Sequence, residues 1–190
     1  MAQNPTRVST RRIGIDLGGT KTEVAVLDEH GAITFRHRQP TPGASYEGII
    51  ESIVSLVRTA EKAVGMQCSI GVATPGTIHP QSQTLINSNT TCLNGKTFPR
   101  DLERALGRQV RIANDANCFA LSEATDGAAR GAVCVFGVIL GTGTGGGIVV
   151  NGRLLHGANG IAGEWGHNAL PWPDETERQG PACYCGKTGC

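Results

Sequence analysis

Two glycine-rich turns, each set against apolar strands, restrict this chain more than any other feature in it. The first is Asp16-Leu17-Gly18-Gly19-Thr20-Lys21, which follows the apolar run Ile13–Asp16. The second is Gly141-Thr142-Gly143-Thr144-Gly145-Gly146-Gly147, which follows the strand-like run Ala132–Leu140. Both halves therefore open on one plan: apolar strand, Gly/Thr turn, next strand. Repetition of that plan predicts two related domains, residues 1–125 and 126–190, facing each other across a cleft.

Turns of this composition bring backbone N–H groups close to a phosphate. In the first, Thr20 adds a hydroxyl donor and Lys21 a positive charge. Asp16, at the strand end, is placed to hold Mg²⁺ through water. A plain hairpin turn would have the same composition. The second turn satisfies G-x-G-x-x-G at Gly141, Gly143 and Gly146. A dinucleotide fold needs a helix next. Here a strand and an Asn151-Gly152 hairpin follow instead. Gly95-Lys96-Thr97 and Gly186-Lys187-Thr188 are not P-loops, because Thr90 and Pro181 stand where the upstream glycine is required.

The rest of the chain alternates strand and helix. Residues 12–38 read as three strands, and short turns make successive strands antiparallel. Ile49, Ile53, Leu56, Val57, Ala60 and Val64 recur at helical spacing and predict a helix over 46–64. Ile70–Ala73 and Val110–Ala113 read as buried strands. Residues 98–106 and 116–126 read as helices, the second capped by Asn114 or Asp115. Arg153–His156 returns from the Asn-Gly hairpin, and a loop-rich stretch follows Gly157.

Two polar constellations lie at the ends of these elements. Asn114-Asp115-Ala116-Asn117 marks a strand-to-helix junction. Asp115 fits two roles there: a helix cap, or a carboxylate that accepts a proton from an attacking hydroxyl. Glu164 in Gly163-Glu164-Trp165-Gly166-His167 reads either as a surface carboxylate or as an acceptor for sugar hydroxyls. Of seven cysteines, Cys183, Cys185 and Cys190 fall within the last eight residues. With His167 they form a Cys₃His set of the structural-zinc kind, with no open position. A redox pair is the competing reading, and His156 the competing histidine.

Bulk properties agree with a globular protein: 39% apolar residues and a net charge of +1. Neither a nucleic-acid nor a membrane partner is expected from that charge. The leader has no apolar core, and a cytoplasmic location is expected.

Together these motifs resemble the ROK family of sugar kinases and regulators, within the actin, hexokinase and Hsp70 superfamily. The resemblance runs from about Arg12 to Cys190. It rests on Asp16–Lys21, Thr74-Pro75-Gly76, Asn114–Asn117, Gly141–Gly147, Glu164–His167 and Cys183-x-Cys185-Gly186-x-x-Gly189-Cys190. Asn94-Gly95, Asn114–Gly131 and Asn168–Asp174 look most like the bacterial fructokinase branch. The resemblance implies an α/β, actin-like ATPase (ribonuclease H-like) two-domain fold with mixed sheets and an incomplete second domain. It implies ATP-dependent phosphorylation of a hexose, fructose first, with glucose, mannose, N-acetylhexosamine or a non-catalytic remnant as alternatives. Asp115 matches the catalytic base. Gly76, Asn94, Asn114, Glu164 and His167 match sugar contacts. Asp16, Gly18, Gly19, Thr20, Lys21, Thr142 and Gly143 match the nucleotide-phosphate and Mg²⁺ region. His167, Cys183, Cys185 and Cys190 match the zinc set, and a homodimer is implied for a full-length form. Family repressors carry a helix-turn-helix ahead of the first turn, and the fifteen residues before Asp16 are too few for one.

Overall fold

The structure is a computed structural model that describes residues 11–141, 143–183 and 185–190. The chain divides into two compact units, Met1–Asp115 and Ala116–Cys190.

The first unit is built on β1 (Arg12–Leu17), β2 (Lys21–Leu27) and β3 (Ile33–Pro40), followed by helix α1 (Tyr46–Val64) and β4 (Ser69–Thr74). A small hairpin follows, β5 (Thr77–Ile78) and β6 (Leu85–Ile86), which the sequence reading did not anticipate. Helix α2 (Phe98–Leu106) and β7 (Arg111–Asn114) complete the unit. Its sheet has the order β3-β2-β1-β4-β7. The β1–β2–β3 meander is antiparallel, whereas β4 and β7 run parallel to β1. Strict alternation puts Ile13, Ile15, Leu17, Val24, Val26, Ile70 and Val72 on the buried face.

Helix α1 packs its predicted stripe, Ile49, Ile53, Leu56, Val57 and Ala60, into that same core. Each such aliphatic side chain, fully buried, stabilises the unit by about 1.5–3 kcal/mol. The helix starts where Ser45 accepts a bond from the Gly48 N–H. It stops at Gly65, whose left-handed φ of 72° lets its N–H reach the Glu61 carbonyl. Helix α2 adds Phe98 and Leu102 to the core and ends the same way, at Gly107.

The second unit holds almost all of α3 (Asp115–Thr125), then β8 (Cys134–Leu140), β9 (Thr144–Val150) and β10 (Arg153–Leu154). These strands form an antiparallel sheet of order β10-β9-β8. Two expectations need correction here. The division falls at Asp115 rather than at residue 125, because α3 packs on the following sheet. Also, the second turn is shorter than the glycine run. Thr144 to Gly147 belong to β9, paired with Leu140 to Gly137. The reason is steric. A Cβ at Gly147 would lie 2.9 Å from the Ala116 carbonyl oxygen and from the Ala120 Cβ. The glycines are thus the surface on which α3 rests, rather than a longer turn. A short helix, α4 (Glu175–Arg178), with a capping box between Asp174 and Glu177, interrupts the stretch expected to be loop. Among the described residues no helix is long and apolar enough to cross a membrane.

Candidate functional site

In the first unit, three parallel strands end side by side. Register pairs Asp16 of β1 with Ala73 of β4, and Thr74 with Asn114 of β7. The carboxyl ends therefore carry Asp16, Thr74-Pro75-Gly76 and Asn114-Asp115 along one edge, where open α/β sheets place their ligands. Gly76 has a φ of 83°, and a Cβ there would meet the Ile86 carbonyl oxygen at 2.4 Å. The Asn114 Nδ2 donates to the Gly76 carbonyl, 3.0 Å away. Asn94 sits further along the same scaffold. Its Oδ1 accepts from the Ser88 N–H and its Nδ2 donates to the Ser88 carbonyl, both at 2.9 Å. The Ser88 backbone in turn lies against Gly76.

The β1–β2 turn is closed by the Gly18 N–H donating to the Lys21 carbonyl at 3.0 Å. Thr41 supports it from β3's end: its hydroxyl donates to the Gly18 carbonyl at 2.8 Å, and its N–H donates to the Thr20 carbonyl at 2.9 Å. Buried Thr90 lies against Gly19. Thr20 and Lys21 are exposed. Desolvation, then the negative charges of Asp115 and Glu23, hold the Asp16 carboxyl above the usual aspartate range, and Arg38 opposes them. Glu23 itself, despite its own desolvation, is held below the ordinary range by Arg36 and Arg38. Asp16 and Asp115 thus form a like-charge pair at the strand ends, an arrangement that a divalent cation relieves.

In the second unit, Gly141 and Gly143 lie in the turn, with the Gly141 N–H donating to the Gly143 carbonyl at 2.9 Å. Thr142 lies outside the described residues. The segment Gly163–His167 is seated on β9. Built Cβ atoms show how close it comes: Gly163 would meet Gly147 Cα at 2.9 Å, and Gly166 would meet the Thr144 carbonyl oxygen at 2.9 Å. The Trp165 indole N–H donates to the Gly145 carbonyl at 2.8 Å. Glu164 is exposed, and its Oε1 accepts from the Gly166 N–H at 2.8 Å.

His167 has a left-handed φ of 58°, which turns its ring toward the cysteine loop. Its Nδ1 lies 3.4 Å from Cys183 Sγ and 3.9 Å from Cys190 Sγ, and Cys185 Sγ lies 3.9 Å from Cys190 Sγ. The four donor atoms all fall within 4.8 Å of one another. A tetrahedron with metal–sulfur bonds of about 2.3 Å has edges of about 3.8 Å. The donor set is therefore of the size and chemistry that suit zinc. The loop is shaped by an Ala182–Thr188 bridge and by the Cys183 N–H donating to the Lys187 carbonyl at 2.8 Å. Hydrogen bonding to Cys183, desolvation and the neighbouring Cys185 push the Cys190 thiol up to about 11. His156 is not part of this group.

Sequence reading missed the supporting residues. Thr41, Ser88 and Thr90 act through tertiary contacts with segments distant in the chain, for which no local pattern exists. Trp165 lay inside a recognised motif, but its carbonyl partner twenty residues upstream has no signature.

The model of the ROK family matches residues 12–190. The chain is 43% identical over 182 residues to an N-acetyl-D-glucosamine kinase of Pectobacterium atrosepticum, spanning 93% of this chain and 60% of that protein. It is 41% identical to an N-acetylgalactosamine kinase of Shewanella sp., spanning 93% and 58%. The crystal structure of a ROK family glucokinase from Streptomyces griseus in complex with glucose and AMPPNP superimposes with a TM-score of 0.79 at 32% identity. That match spans 95% of this chain and 55% of the other.

Proposed function

The chain belongs to the ROK family, and from that premise we propose that it carries the acceptor and phosphate elements of an ATP-dependent sugar kinase. Its fold is the actin-like ATPase fold of that family. The chain spans about three fifths of the length of the relatives it matches. The observation that carries the proposal is Asp115 at the carboxyl end of β7, on one edge with Asp16 and Gly76. Asp115 takes the proton of the sugar's primary hydroxyl as that oxygen bonds to the γ-phosphorus of ATP, whose bond to the bridging oxygen breaks to release ADP. Asp16 would hold Mg²⁺, which would offset charge on the transferring phosphate. The Gly19 backbone and the exposed Thr20 hydroxyl, in the β1–β2 turn, stabilise charge there. In the first unit Asn114 orients sugar hydroxyls, and Asn94 supports Gly76 through Ser88.

His167, Cys183, Cys185 and Cys190 hold a structural zinc, supported by a donor geometry of the right edge length. A zinc held there would fix the tautomer of His167 and leave its other ring nitrogen for a sugar hydroxyl.

An N-acetylhexosamine is the acceptor best supported, because the relatives above carry that activity in their names. Fructose is the second reading, favoured by the likeness of Asn114–Gly131 and Asn168–Asp174 to the fructokinase branch. A panel of N-acetylglucosamine, N-acetylgalactosamine, fructose, glucose and mannose, with ATP and Mg²⁺, decides by kcat/KM. The highest value for an N-acetylhexosamine supports the first reading. A higher value for fructose replaces it, and no transfer or sugar binding on any member overturns the kinase reading.

A further inference from the structure

We propose that Thr90 is a positioning residue for the β1–β2 turn: its buried, unpartnered hydroxyl bonds to Gly19 when phosphate oxygens occupy that turn. The inference rests on the kinase reading above and deepens it.

Thr90 is 5% exposed, and its Oγ1 has no hydrogen-bond partner among the described residues. A bare buried hydroxyl raises the free energy of the state that contains it, and folded proteins hold few of them. Thr90 stands at the N-cap of a single 3-10 turn, Thr91–Leu93. There a threonine hydroxyl ordinarily accepts from a free N–H of the helix. Thr90 makes no such bond, and its hydroxyl faces the β1–β2 turn instead. A Cβ built on Gly19 would have one neighbour within 4 Å, the Thr90 Oγ1 at 3.6 Å.

The segment behind the hydroxyl is fixed. The Thr90 N–H donates to Ser88 Oγ at 3.1 Å, and the Thr90 carbonyl accepts from the Leu93 N–H at 3.0 Å. Leu93 is fully buried, and Asn94 ties Ser88 through two bonds. The Cys92 thiol donates to the Gly43 carbonyl at 3.3 Å. A Cβ at Gly43 would in turn lie 3.1 Å from the Gly19 carbonyl oxygen. Residues 88–94 thus lie along the turn as one bonded piece, and Thr90 is held facing Gly19.

The bonds within the turn leave the groups around Gly19 unused. Gly18 donates its N–H to the Lys21 carbonyl and accepts from the Thr41 hydroxyl, and the Thr20 carbonyl accepts from the Thr41 N–H. Among the described residues, the Gly19 N–H, the Gly19 carbonyl and the Thr20 N–H make no hydrogen bond. Consecutive N–H groups are the donors that an oxyanion takes. Once phosphate oxygens take them, the Gly19 carbonyl is left as an acceptor beside one donor, the Thr90 hydroxyl. Gly19 has no side chain to resist the small adjustment that joins the two. Thr90 therefore favours the phosphate-bound turn over the free one, and that difference appears as phosphate affinity. Loss of the hydroxyl should stabilise the chain without ligand and weaken its hold on phosphate, two effects of opposite sign. A threonine with a structural role alone would lower stability when replaced.

The whole chain is titrated by calorimetry with magnesium tripolyphosphate, which reads phosphate contacts without an adenosine, and with a non-hydrolysable ATP analogue and Mg²⁺. Thermal unfolding is measured on the same samples without ligand. Thr90→Val keeps the shape and loses the hydroxyl, so Kd for both probes should rise by about fivefold or more. Its unfolding temperature without ligand should rise by about 2–4 °C. N-acetylglucosamine affinity, measured alone, should stay within about twofold of native. Thr90→Ser keeps the hydroxyl and should bind both probes within about twofold of native. Thr90→Ala also lacks the hydroxyl and decides by probe affinity if the valine variant does not fold. Native phosphate affinity without the hydroxyl, a valine variant less stable than the native chain, or an equal loss of sugar affinity overturns the inference alone. A native chain that binds neither phosphate probe overturns the kinase reading of the turn, and this inference with it.

Discussion

Replacing Asp115 by Asn separates the two jobs that its position allows. An amide caps a helix about as well as a carboxylate, but it cannot accept a proton. Asp115→Asn should lower kcat by about 10²–10⁴-fold with sugar affinity retained, as read by coupled assay and calorimetry. Near-native turnover would place the base elsewhere. Away from the site, Tyr46 donates to Asp101 at 2.7 Å, and Thr97 donates to the same oxygen at 2.9 Å. The Tyr46 bond, with help from Thr97 and Arg104, holds the Asp101 carboxyl below its ordinary value of 3.8. A carboxyl lowered in the folded state stabilises above its unfolded value, and that stability is lost as pH falls through the lowered value. Tyr46→Phe should therefore cost about 1 kcal/mol at pH 7, and less as pH falls below 3.8, in urea unfolding at a series of pH values. A cost that stays constant with pH would show that the bond does not depend on the carboxylate. The place of Asp115 at the strand-to-helix junction was legible because a lone acid follows an apolar strand. The supporting role of Asn94 was not, because its partner Ser88 lies in an irregular segment whose path no periodicity reveals.

Elements were read with unequal success, and the glycines of β9 show why. Helix α1 was legible to its ends because its stripe, its Ser45 cap and its Gly65 stop all agree. A run of glycines carries no such agreement: it has no side-chain period, and turn chemistry and close packing both call for it. The helix lying on them decides, and that contact is tertiary. Gly147→Ala would drive a methyl to 2.9 Å from the Ala116 carbonyl oxygen, in backbone that cannot yield as a side chain can. It should cost about 1–3 kcal/mol, the range of an overpacked core. Gly143→Ala meets open space and should cost much less, which thermal unfolding of the pair will compare. Equal effects would mean that the helix does not rest on β9 in solution. The same logic explains the domain division: Asn114-Asp115 predicted the start of α3 correctly, but the sheet on which α3 packs lies beyond any local signal.

At the scale of the whole molecule the two units differ in what holds them. The first has a continuous core in which α1 and α2 cover a five-stranded sheet. The second unit's core cluster is Ala120, Val135 and Val149, while Phe136 and Leu140 stand more than half exposed. A core this small seldom supports a fold of this length without a disulfide or a metal. Its cysteines are free thiols, and the Cys₃His group offers a staple. We therefore expect one zinc per chain, and its removal should act unevenly. Binding free energy at a site that exists only when folded is folding free energy. Its loss should release the loop that makes the site: the Cys183 and Gly186 amides, bonded to the Lys187 and Cys183 carbonyls, should lose protection first. Glu164 and His167 should follow, because His167 is itself a donor. Amides of α1 and β4, in a core that contains no metal ligand, should keep theirs. Hydrogen exchange with and without a strong chelator, with metal analysis of the same sample, measures all of this. Absence of stoichiometric zinc, or zinc kept by a Cys183→Ala/Cys185→Ala variant, would remove the assignment. Protection lost evenly across both units would show instead that they unfold as one, and that the metal stabilises the molecule rather than its second unit.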